Sequence, residues 1–562
     1  MSMKLKNLFA LNLMAATLAA CGGGDINVSP SNTVTDSNNT SNTNNAPTVT
    51  VNPCAKYTKD GQEFQGVLSG KNCTYGATFA SSSNQITVNL FIPELADGGV
   101  HLFQGSLFIG EDVDSNAALS GKHIPQEGEG PTLTVAAGAK VAFEHGEDYM
   151  RIARGSKIVA EGTKEKPIVF SGKADLIDNT ATIADRGLWG GIQMNGNGIT
   201  NKCTDAQRLA TANNVHGCHI TSEGLPGTYG GANNAESSGI MKYVQIKHAG
   251  YKVVEGNELN ALTLNAVGSK TTIDYVQAYS AQDDGFEFFG GAVNTKHLVA
   301  VGTSDDSFDY TDGYTGSMQF ALSVHPNGVG GNNCVEADNT GVGRADDITP
   351  STKLRISNLT CVTNGLAKNA GTTPSPDGAS SGPLIREGMF VEFYNSIVTS
   401  NQVGMATNDL FVLDDTEGPS TIKGAIDGWT VAKSNVFAGT GSVKTKTVDP
   451  LNAAFNITTW IATAPNSDNN IVTGAGLGLT ASLLKDLATN DRAYLTLETL
   501  TDANMAAITV PVYDVSMLND SFSAGAVPSV GATGASKFFT KPTHIGAASE
   551  TDDWVSGWTV GL

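Results

Sequence analysis

The chain has 562 residues, a formal net charge of −21, 64 glycines and only 16% charged residues. This composition argues against a chain that is disordered throughout. The acidic balance argues against a nucleic-acid binder, because neutralising phosphates requires clustered Lys and Arg side chains. The composition therefore indicates a secreted, Gly-rich β protein.

The N-terminus has the pattern of a lipoprotein signal peptide. In residues 1–20, Lys4 and Lys6 precede an apolar run that is too short to span a membrane comfortably. The run ends in Leu-Ala-Ala-Cys at Cys21, which resembles a bacterial lipobox. This resemblance implies that Cys21 carries lipid (palmitate) after cleavage, and Gly22 behind it favours the outer membrane. We expect an outer-membrane lipoprotein that is exposed at the cell surface or faces the periplasm.

Residues 21–53 are predicted to be a flexible tether behind the lipidated Cys21. Residues 22–53 hold eight Asn, six Thr and four Ser and no aromatic residue. Such a stretch cannot bury a core and should stay disordered. As a flexible coil it reaches roughly 30 Å, enough to hold a folded body clear of a lipid surface.

The other six cysteines indicate disulfides. They fall into three close pairs along the chain: Cys54/Cys73, Cys203/Cys218 and Cys334/Cys361. This spacing favours bonds between neighbours and fits an oxidising compartment. A zinc site at His216, Cys218 and His219 is the rival interpretation, although no Cys-x-x-Cys accompanies it.

The body of the chain repeats. From about residue 130, short β-branched runs alternate with Gly, Asp and Asn, and residues 275–288 recur 22 residues later as 297–310. Aromatic and acidic residues alternate in both copies, as Phe286, Glu287, Phe288 and as Phe308, Asp309, Tyr310. This period of two places the aromatic residues inward and the acids outward. A repeat of this length with short strands predicts an all-β fold, a right-handed parallel β-helix solenoid.

The ends of a stack of repeats need covering. We therefore expect an N-terminal β cap module at residues 54–129, the parallel β-helix at 130–450, and C-terminal rungs with a cap at 451–562. The best helical candidate lies within residues 480–510 of that last part.

Several motifs point to a known superfamily. Residues 155–163 (GSKIVAEGT) and 167–170 (PIVF) resemble the opening rungs of pectate-lyase-like β-helices. Residues 188–192 (LWGGI), the Asp-Asp-Gly unit at 283–285 and the last 25 residues are similar to a group of bacterial surface β-helix lipoproteins. The resemblance implies the β-helix fold and a location at the cell surface.

An acidic ladder is the main candidate site. At the 22-residue offset, Asp283 stacks on Asp305 and Glu287 on Asp309, and Asp312 adds a further acid. Stacked carboxylates repel each other unless something compensates them. Three explanations fit: these five residues bind Ca²⁺ through their oxygens, paired Asp residues catalyse glycoside cleavage, or Asp side chains cap backbone N–H groups at turns.

The catalytic explanation has a supporting resemblance. Polygalacturonase-like glycosidases place an Asp, an Asp pair, a His and an Arg on successive rungs, and Asp284, Asp305, Asp306, His325 and Arg355 follow in that order. The resemblance implies that Asp306 is the general acid, while Asp284 and Asp305 position water. His325 would hydrogen-bond the acids, and Arg355 would bind a uronate carboxylate.

Two functions from different classes follow. The first is a binding protein that presents an acidic β-helix surface to a polysaccharide, to Ca²⁺ or to a partner outer-membrane protein. The second is a polysaccharide-degrading enzyme, a glycosidase or a lyase. A strongly acidic groove repels a polyuronate unless calcium or Arg intervenes, which favours binding. The long segments 201–235, 326–352 and 364–383 decide whether a groove is open.

Overall fold

The structure is a computed structural model. It describes residues 52–562, except 112, 114–121, 211–216, 226, 255, 327–330, 340–349, 365–377, 401–408, 417–420, 440, 448–451, 453, 474–509, 519–537 and 550. The signal peptide, Cys21, nearly all of the tether and the helical candidate up to residue 509 lie outside the described residues.

Ten parallel strands form one sheet, with one strand contributed by each coil of the chain. In spatial order they are Leu107–Ile109, Tyr149–Ile152, Gly191–Asn195, Leu262–Asn265, Phe286–Phe289, Phe308–Thr311, Glu336–Ala337, Leu384–Arg386, Phe411–Asp414 and Val443–Lys446. We call it the ten-stranded sheet.

A nineteen-stranded sheet is built from two columns. The first column holds Leu90–Ile92, Thr132–Val135, Lys157–Glu161, Gly239–Lys247, Thr272–Tyr279, Thr295–Val301, Ser317–Val324, Lys353–Thr363, Phe390–Tyr394, Val431–Lys433 and Ser467–Asp468. The second holds Val67–Ser69, Asn72–Tyr75, His101–Phe103, Lys140–Phe143, Ile168–Gly172, Ile397–Ser400, Val436–Ala438 and Ile471–Thr473. The long strands from Gly239 to Thr363 bridge both columns, because their second halves continue the second column.

The strand register reproduces the predicted repeat. Phe286 pairs with Phe308, and Val276 pairs with Leu298, both in parallel strands and both 22 residues apart. The extra residues of the preceding unit form a hairpin of Lys252–Val254 with Asn257–Glu258. The chain is therefore mostly strand, with parallel sheets, which confirms the all-β part of the fold prediction.

Parallel pairing begins before residue 130. Asn72–Tyr75 pairs in parallel with His101–Phe103, which pairs in turn with Lys140–Phe143. The described part of residues 54–129 therefore contributes strands to the same sheet as the rungs that follow. Only the hairpin Lys56–Lys59 with Gln62–Gln65 and the antiparallel pair of Val67–Ser69 with Asn72–Tyr75 lie ahead of that pairing.

The few other elements are short. The remaining hairpin joins Ile220–Thr221 to Thr228–Tyr229. The described helices are Lys173–Leu176, Asp205–Arg208, Thr421–Ile426 and Ile457–Thr463, with 3-10 turns at Ala96–Gly98 and Val515–Met517. Ile457, Trp460 and Ile461 of the last α-helix are buried in the main core beside Val443. None of the described residues forms a helix that is both long and apolar enough to cross a membrane.

Stacked side chains fill the interior. Phe286 stacks on Phe308 with ring centroids 5.5 Å apart, and Phe288 stacks on Tyr310 at 4.4 Å. All four rings are fully buried, as the period-two pattern predicts. Each rung thus covers the apolar face of its neighbour, which supplies the main hydrophobic stabilisation.

A bend separates the two columns of the nineteen-stranded sheet. The bend residue has a positive φ on successive rungs, and four of these residues form what we call the aromatic column: Tyr243, Tyr275, His297 and Phe320. Their rings stack at 4.4, 4.1 and 5.3 Å. A positive φ is costly for residues other than Gly or Asn, so the stacking must offset that strain.

The C-terminal segment, residues 538–549 and 551–562, covers the aromatic column. Trp558 packs edge-on against Tyr243 and Tyr275, at 5.7 and 6.1 Å, and Trp554 packs against His297 at 4.9 Å. Gln277 both donates to the Val560 carbonyl (2.7 Å) and accepts from the Val560 N–H (2.9 Å). The segment is thus fixed by rings and by backbone hydrogen bonds.

Candidate acidic site on the ten-stranded sheet

The described residues between 196 and 238 belong to a long excursion of the chain, and they fold back over the outer face of the ten-stranded sheet. We call this excursion the covering loop. Arg151 donates to the Leu225 carbonyl (2.5 Å) and Gln193 donates to the Glu223 carbonyl (3.1 Å). The covering loop therefore shields acids that the repeat directs outward. Glu287, for example, is only 9% exposed.

Asp side chains link successive rungs by capping backbone N–H groups. The N–H of Asp284 donates to Asn260 Oδ1 (3.1 Å), and the N–H of Asp306 donates to Asp284 Oδ1 (2.8 Å). The N–H of Asn333 then donates to Asp306 Oδ1 (2.5 Å). The hydrogen bonds therefore confirm turn capping for Asp284 and Asp306, and each retains a second carboxylate oxygen.

The carboxylates converge in two overlapping groups. One contains Asp283, Asp284 and Asp305, and the other contains Asp284, Glu287 and Asp309. Within each group one oxygen from every residue lies within 4.8 Å of the others. Asp284 belongs to both groups, so the two are parts of one site. Glu223 and Asp306 belong to neither group, but Glu223 interacts electrostatically with Asp283, and Asp306 with Asp284 and Asp305. We call these seven residues the acidic cluster: Glu223, Asp283, Asp284, Glu287, Asp305, Asp306 and Asp309.

Burial and mutual repulsion raise the pKa values throughout the acidic cluster. Burial, together with the Asp283 carboxylate, raises the pKa of Glu223 to about 8. Burial and the Asp305 carboxylate raise the pKa of Asp283 to about 8. The pKa values of the most enclosed members lie well above their ordinary range for the same two reasons, in Asp284, Glu287, Asp306 and Asp309. Glu223 and Asp283 therefore hold protons near neutral pH unless a cation compensates them.

In the described part of the chain, Lys252 opposes the raised pKa values of Asp283 and Asp305, and Arg386 opposes those of Asp305 and Asp309. Arg386 forms ion pairs with Glu336 (2.5 Å) and Asp338 (3.3 Å), one rung beyond Asp309. Asp305 accepts a hydrogen bond from the Asn332 amide (2.8 Å). The buried oxygens Asp309 Oδ1 and Glu223 Oε2 have no hydrogen-bond partner. The cluster is therefore under-compensated by the protein itself.

Asp312 takes a different role from the other predicted calcium ligands. Its carboxylate pairs with Lys202 (3.2 Å) and lies 3.5 Å from the Tyr229 hydroxyl, and it belongs to neither carboxylate group. Burial raises the pKa of Asp312 to about 6, although Lys202 opposes the shift. Four of the five predicted ligands thus come together, and Asp284 joins them in place of Asp312.

His325 and Arg355 form hydrogen bonds with residues outside the acidic cluster. The His325 ring is fully buried, and Nε2 lies 3.3 Å from the Ser307 hydroxyl. Burial lowers the pKa of His325 to about 3. Arg355 lies on the first column of the nineteen-stranded sheet, where Nε pairs with Glu392 at 2.7 Å. Of the polygalacturonase-like series, the structure brings together only Asp284, Asp305 and Asp306.

The sequence reasoning missed Glu223, Glu336 and Asp338. Glu223 comes from the covering loop, outside any repeat, so no periodicity points to it. Glu336 pairs with Asp309 in parallel register, and a count of one rung beyond Asp309 with a loop allowance could have found it.

The cysteines pair as predicted. Cα–Cα distances are 5.5, 5.6 and 6.1 Å for Cys54–Cys73, Cys203–Cys218 and Cys334–Cys361. The Cys203–Cys218 bond lies within the covering loop. Because Cys218 is oxidised, the zinc interpretation loses its thiolate ligand.

Comparison with known proteins gives one match. No curated protein and no solved structure matches the chain. A family profile described as "Pectate-lyase like beta helix domain" matches residues 112–420. These residues include the covering loop and the whole acidic cluster. Because the match extends over more than half of the chain, the chain belongs to the pectate-lyase-like β-helix domain family.

Proposed function

We propose that the chain is a lipid-anchored outer-membrane protein whose β-helix binds polysaccharide, and that its acidic cluster holds Ca²⁺. Family membership fits a polysaccharide-related role. The lipobox at Cys21 and the polar tether behind it support anchoring. The observation that carries the proposal is the convergence of five carboxylates, from Asp283, Asp284, Glu287, Asp305 and Asp309, into two groups sharing one residue.

The chemistry of the acidic cluster suits calcium. Ca²⁺ takes six to eight oxygen ligands, and carboxylates supply them in flexible geometry. The unpartnered Oδ1 of Asp309, in the group with Asp284 and Glu287, is available to such an ion. A bound cation also removes the repulsion that keeps these acids protonated.

The test is a calcium titration of the purified full-length protein in detergent. We expect Ca²⁺ to bind with heat release and to raise the unfolding temperature by several degrees, since a ligand of the native state stabilises it. Asp284→Asn removes a charge common to both groups and keeps the Oδ1 that caps Asp306. This variant should lose the calcium response.

Asp60→Asn is the matched control, because Asp60 lies exposed in a hairpin turn with positive φ, which Asn tolerates. It should respond to Ca²⁺ as the wild type does. No calcium response in the wild type, or an equal response in Asp284→Asn, would reject the calcium site.

Anchoring has its own test. Cells grown with labelled palmitate should incorporate the label into the wild type and not into Cys21→Ser. The wild type should fractionate with outer membranes. Label in the variant would contradict the lipobox assignment.

A second candidate function is hydrolysis or elimination of an acidic polysaccharide. The feature that favours it is the place of Asp306 beside the carboxylates of Glu336 and Asp305, where burial and those charges raise its pKa well above the ordinary range, the direction that a general acid requires. Asp306→Asn preserves the cap on Asn333 and removes the acid. New reducing or unsaturated ends produced by the wild type and absent with Asp306→Asn would establish an enzyme.

A further inference from the structure

A separate groove lies on the outer face of the first column of the nineteen-stranded sheet. Its volume is about 670 Å³. The floor consists of outward side chains from successive rungs: Thr272, Asp274, Asn294, Lys296 and Ser317. One wall is aromatic and comes from Phe538 and Phe539. The groove thus spans several rungs and is lined by hydroxyl and amide groups, charges and rings.

The aromatic wall is held in place by the sheet. Gln319 donates to the Thr540 carbonyl (2.8 Å) and accepts from the Thr540 N–H (2.9 Å). This pairing fixes the backbone next to Phe538 and Phe539. The Phe538 ring lies 4.9 Å from the Lys296 ammonium, in cation–π geometry.

Lys296 is the only cation of the groove without an ion-pair partner among the described residues. Arg355, at the far end, is neutralised by Glu392 at 2.7 Å. Asp274 accepts from His297 Nδ1 (2.7 Å) and forms no ion pair with Lys296. Lys296 is half-buried. An anionic ligand group would supply the ion-pair partner that the described residues do not give to Lys296.

We propose that this groove binds an acidic oligosaccharide, with a sugar carboxylate on Lys296, the sugar hydroxyls on the polar floor and a ring face against Phe538. The groove offers one ammonium and several uncharged donors and acceptors, which suits a ligand with sparse charge and many hydroxyl groups. Burial lowers the pKa of Lys296 while Asp274 opposes the shift, so a bound carboxylate favours the charged ammonium. The ligand class rests on the proposed polysaccharide role, whereas the site is independent of the acidic cluster.

The experiment measures binding of a galacturonate trimer to the full-length protein in detergent with EDTA. We expect the acid trimer to bind, and its fully methyl-esterified form to bind at least tenfold more weakly, because esterification removes the charge and keeps the hydroxyls. This comparison needs no variant, so it does not depend on folding of a mutant. Equal binding of the ester would overturn the proposal, as would a lack of binding by the acid trimer.

Variants then locate the site. Lys296→Met should weaken binding of the acid trimer at least tenfold, and Lys296→Arg should retain most of it. Lys242→Met is the matched control, since Lys242 lies in the same column two rungs earlier, also beside aromatic rings, and outside the groove. Unchanged binding by Lys296→Met, or equal loss in Lys242→Met, would overturn the assignment.

The two proposals fail separately. Asp284→Asn should abolish the calcium response and leave trimer binding in EDTA intact. Trimer binding without any calcium response would reject the calcium site and keep the groove proposal. A calcium response without trimer binding would reject the groove proposal and keep the calcium site.

Discussion

Segments outside the repeat cover the outer faces of both large sheets, and the chemistry under the two covers is opposite. On the nineteen-stranded sheet, Trp554 and Trp558 close over the aromatic column, and amides such as Gln277 pair with both backbone groups that face them. On the ten-stranded sheet, the covering loop brings another carboxylate, Glu223, toward carboxylates. The polar groups named under the C-terminal segment find their partners in the protein itself. The carboxylates under the covering loop repel one another unless protons or a cation neutralise them, which is why we place a ligand there.

Removing the main ring of the C-terminal segment should have the largest effect. Trp558 is 1% exposed and packs on two rings of the aromatic column. Trp558→Ala should lower the free energy of unfolding by about 3–5 kcal/mol, through lost burial and the cavity left behind. Urea unfolding followed by circular dichroism measures it.

Trp429→Ala is the control for that loss. Trp429 stacks on Phe390 at 5.3 Å but is partly exposed, so its truncation should cost clearly less. An equal cost for both variants would mean that the C-terminal segment contributes no more than a surface contact does.

The acidic face should reveal itself by pH in the absence of divalent cations. Between pH 6.5 and 8 the unfolded carboxyls are ionised, whereas Asp283 and Glu223, with pKa about 8, still hold protons in the native state. The native state therefore binds more protons, and stability falls as pH rises through this window, by up to ~1.4 kcal/mol per pH unit for each retained proton. Ca²⁺ should flatten the slope.

Other titrating groups are separable from this effect. Burial lowers the pKa of His101 to about 4 and that of His325 to about 3, so both are neutral in the native state across the window. Glu236, with a pKa raised to about 7 by burial, acts in the same direction as the cluster. The difference between the wild type and Asp283→Asn therefore isolates the cluster, and an unchanged slope in that variant would contradict the assignment.

The repeat was predictable from sequence because each rung sees the same environment. Phe286 and Phe308 share a register position, so a 22-residue spacing carries both their pairing and their inward direction. Asp283 and Asp305 follow for the same reason. The cysteine pairs were predictable because short separations limit the alternatives.

The covers were not predictable, since they lie outside the repeat. Nothing in the spacing of residues 196–238 shows that the segment returns over the ten-stranded sheet. The sequence therefore predicts that the acidic ladder is exposed. His325 and Arg355 illustrate the same limit. A sequence offset of about one rung sets the height of a residue along the stack, but the face depends on strand and turn lengths, and the insertion at 326–352 interrupts the count.

The smallest expected effect compares one amide from each face. Gln277 makes two hydrogen bonds to Val560, whereas Gln193 makes one to the Glu223 carbonyl and leaves its buried Oε1 without a partner. Gln277→Met should cost about 1–2 kcal/mol, because both Val560 groups lose their partners. Gln193→Met should cost less than about 1 kcal/mol, because it also removes an unsatisfied acceptor. Urea unfolding of the two variants at one pH compares them, and a larger cost for Gln193→Met would mean that the covering loop is held by polar pairing as the C-terminal segment is.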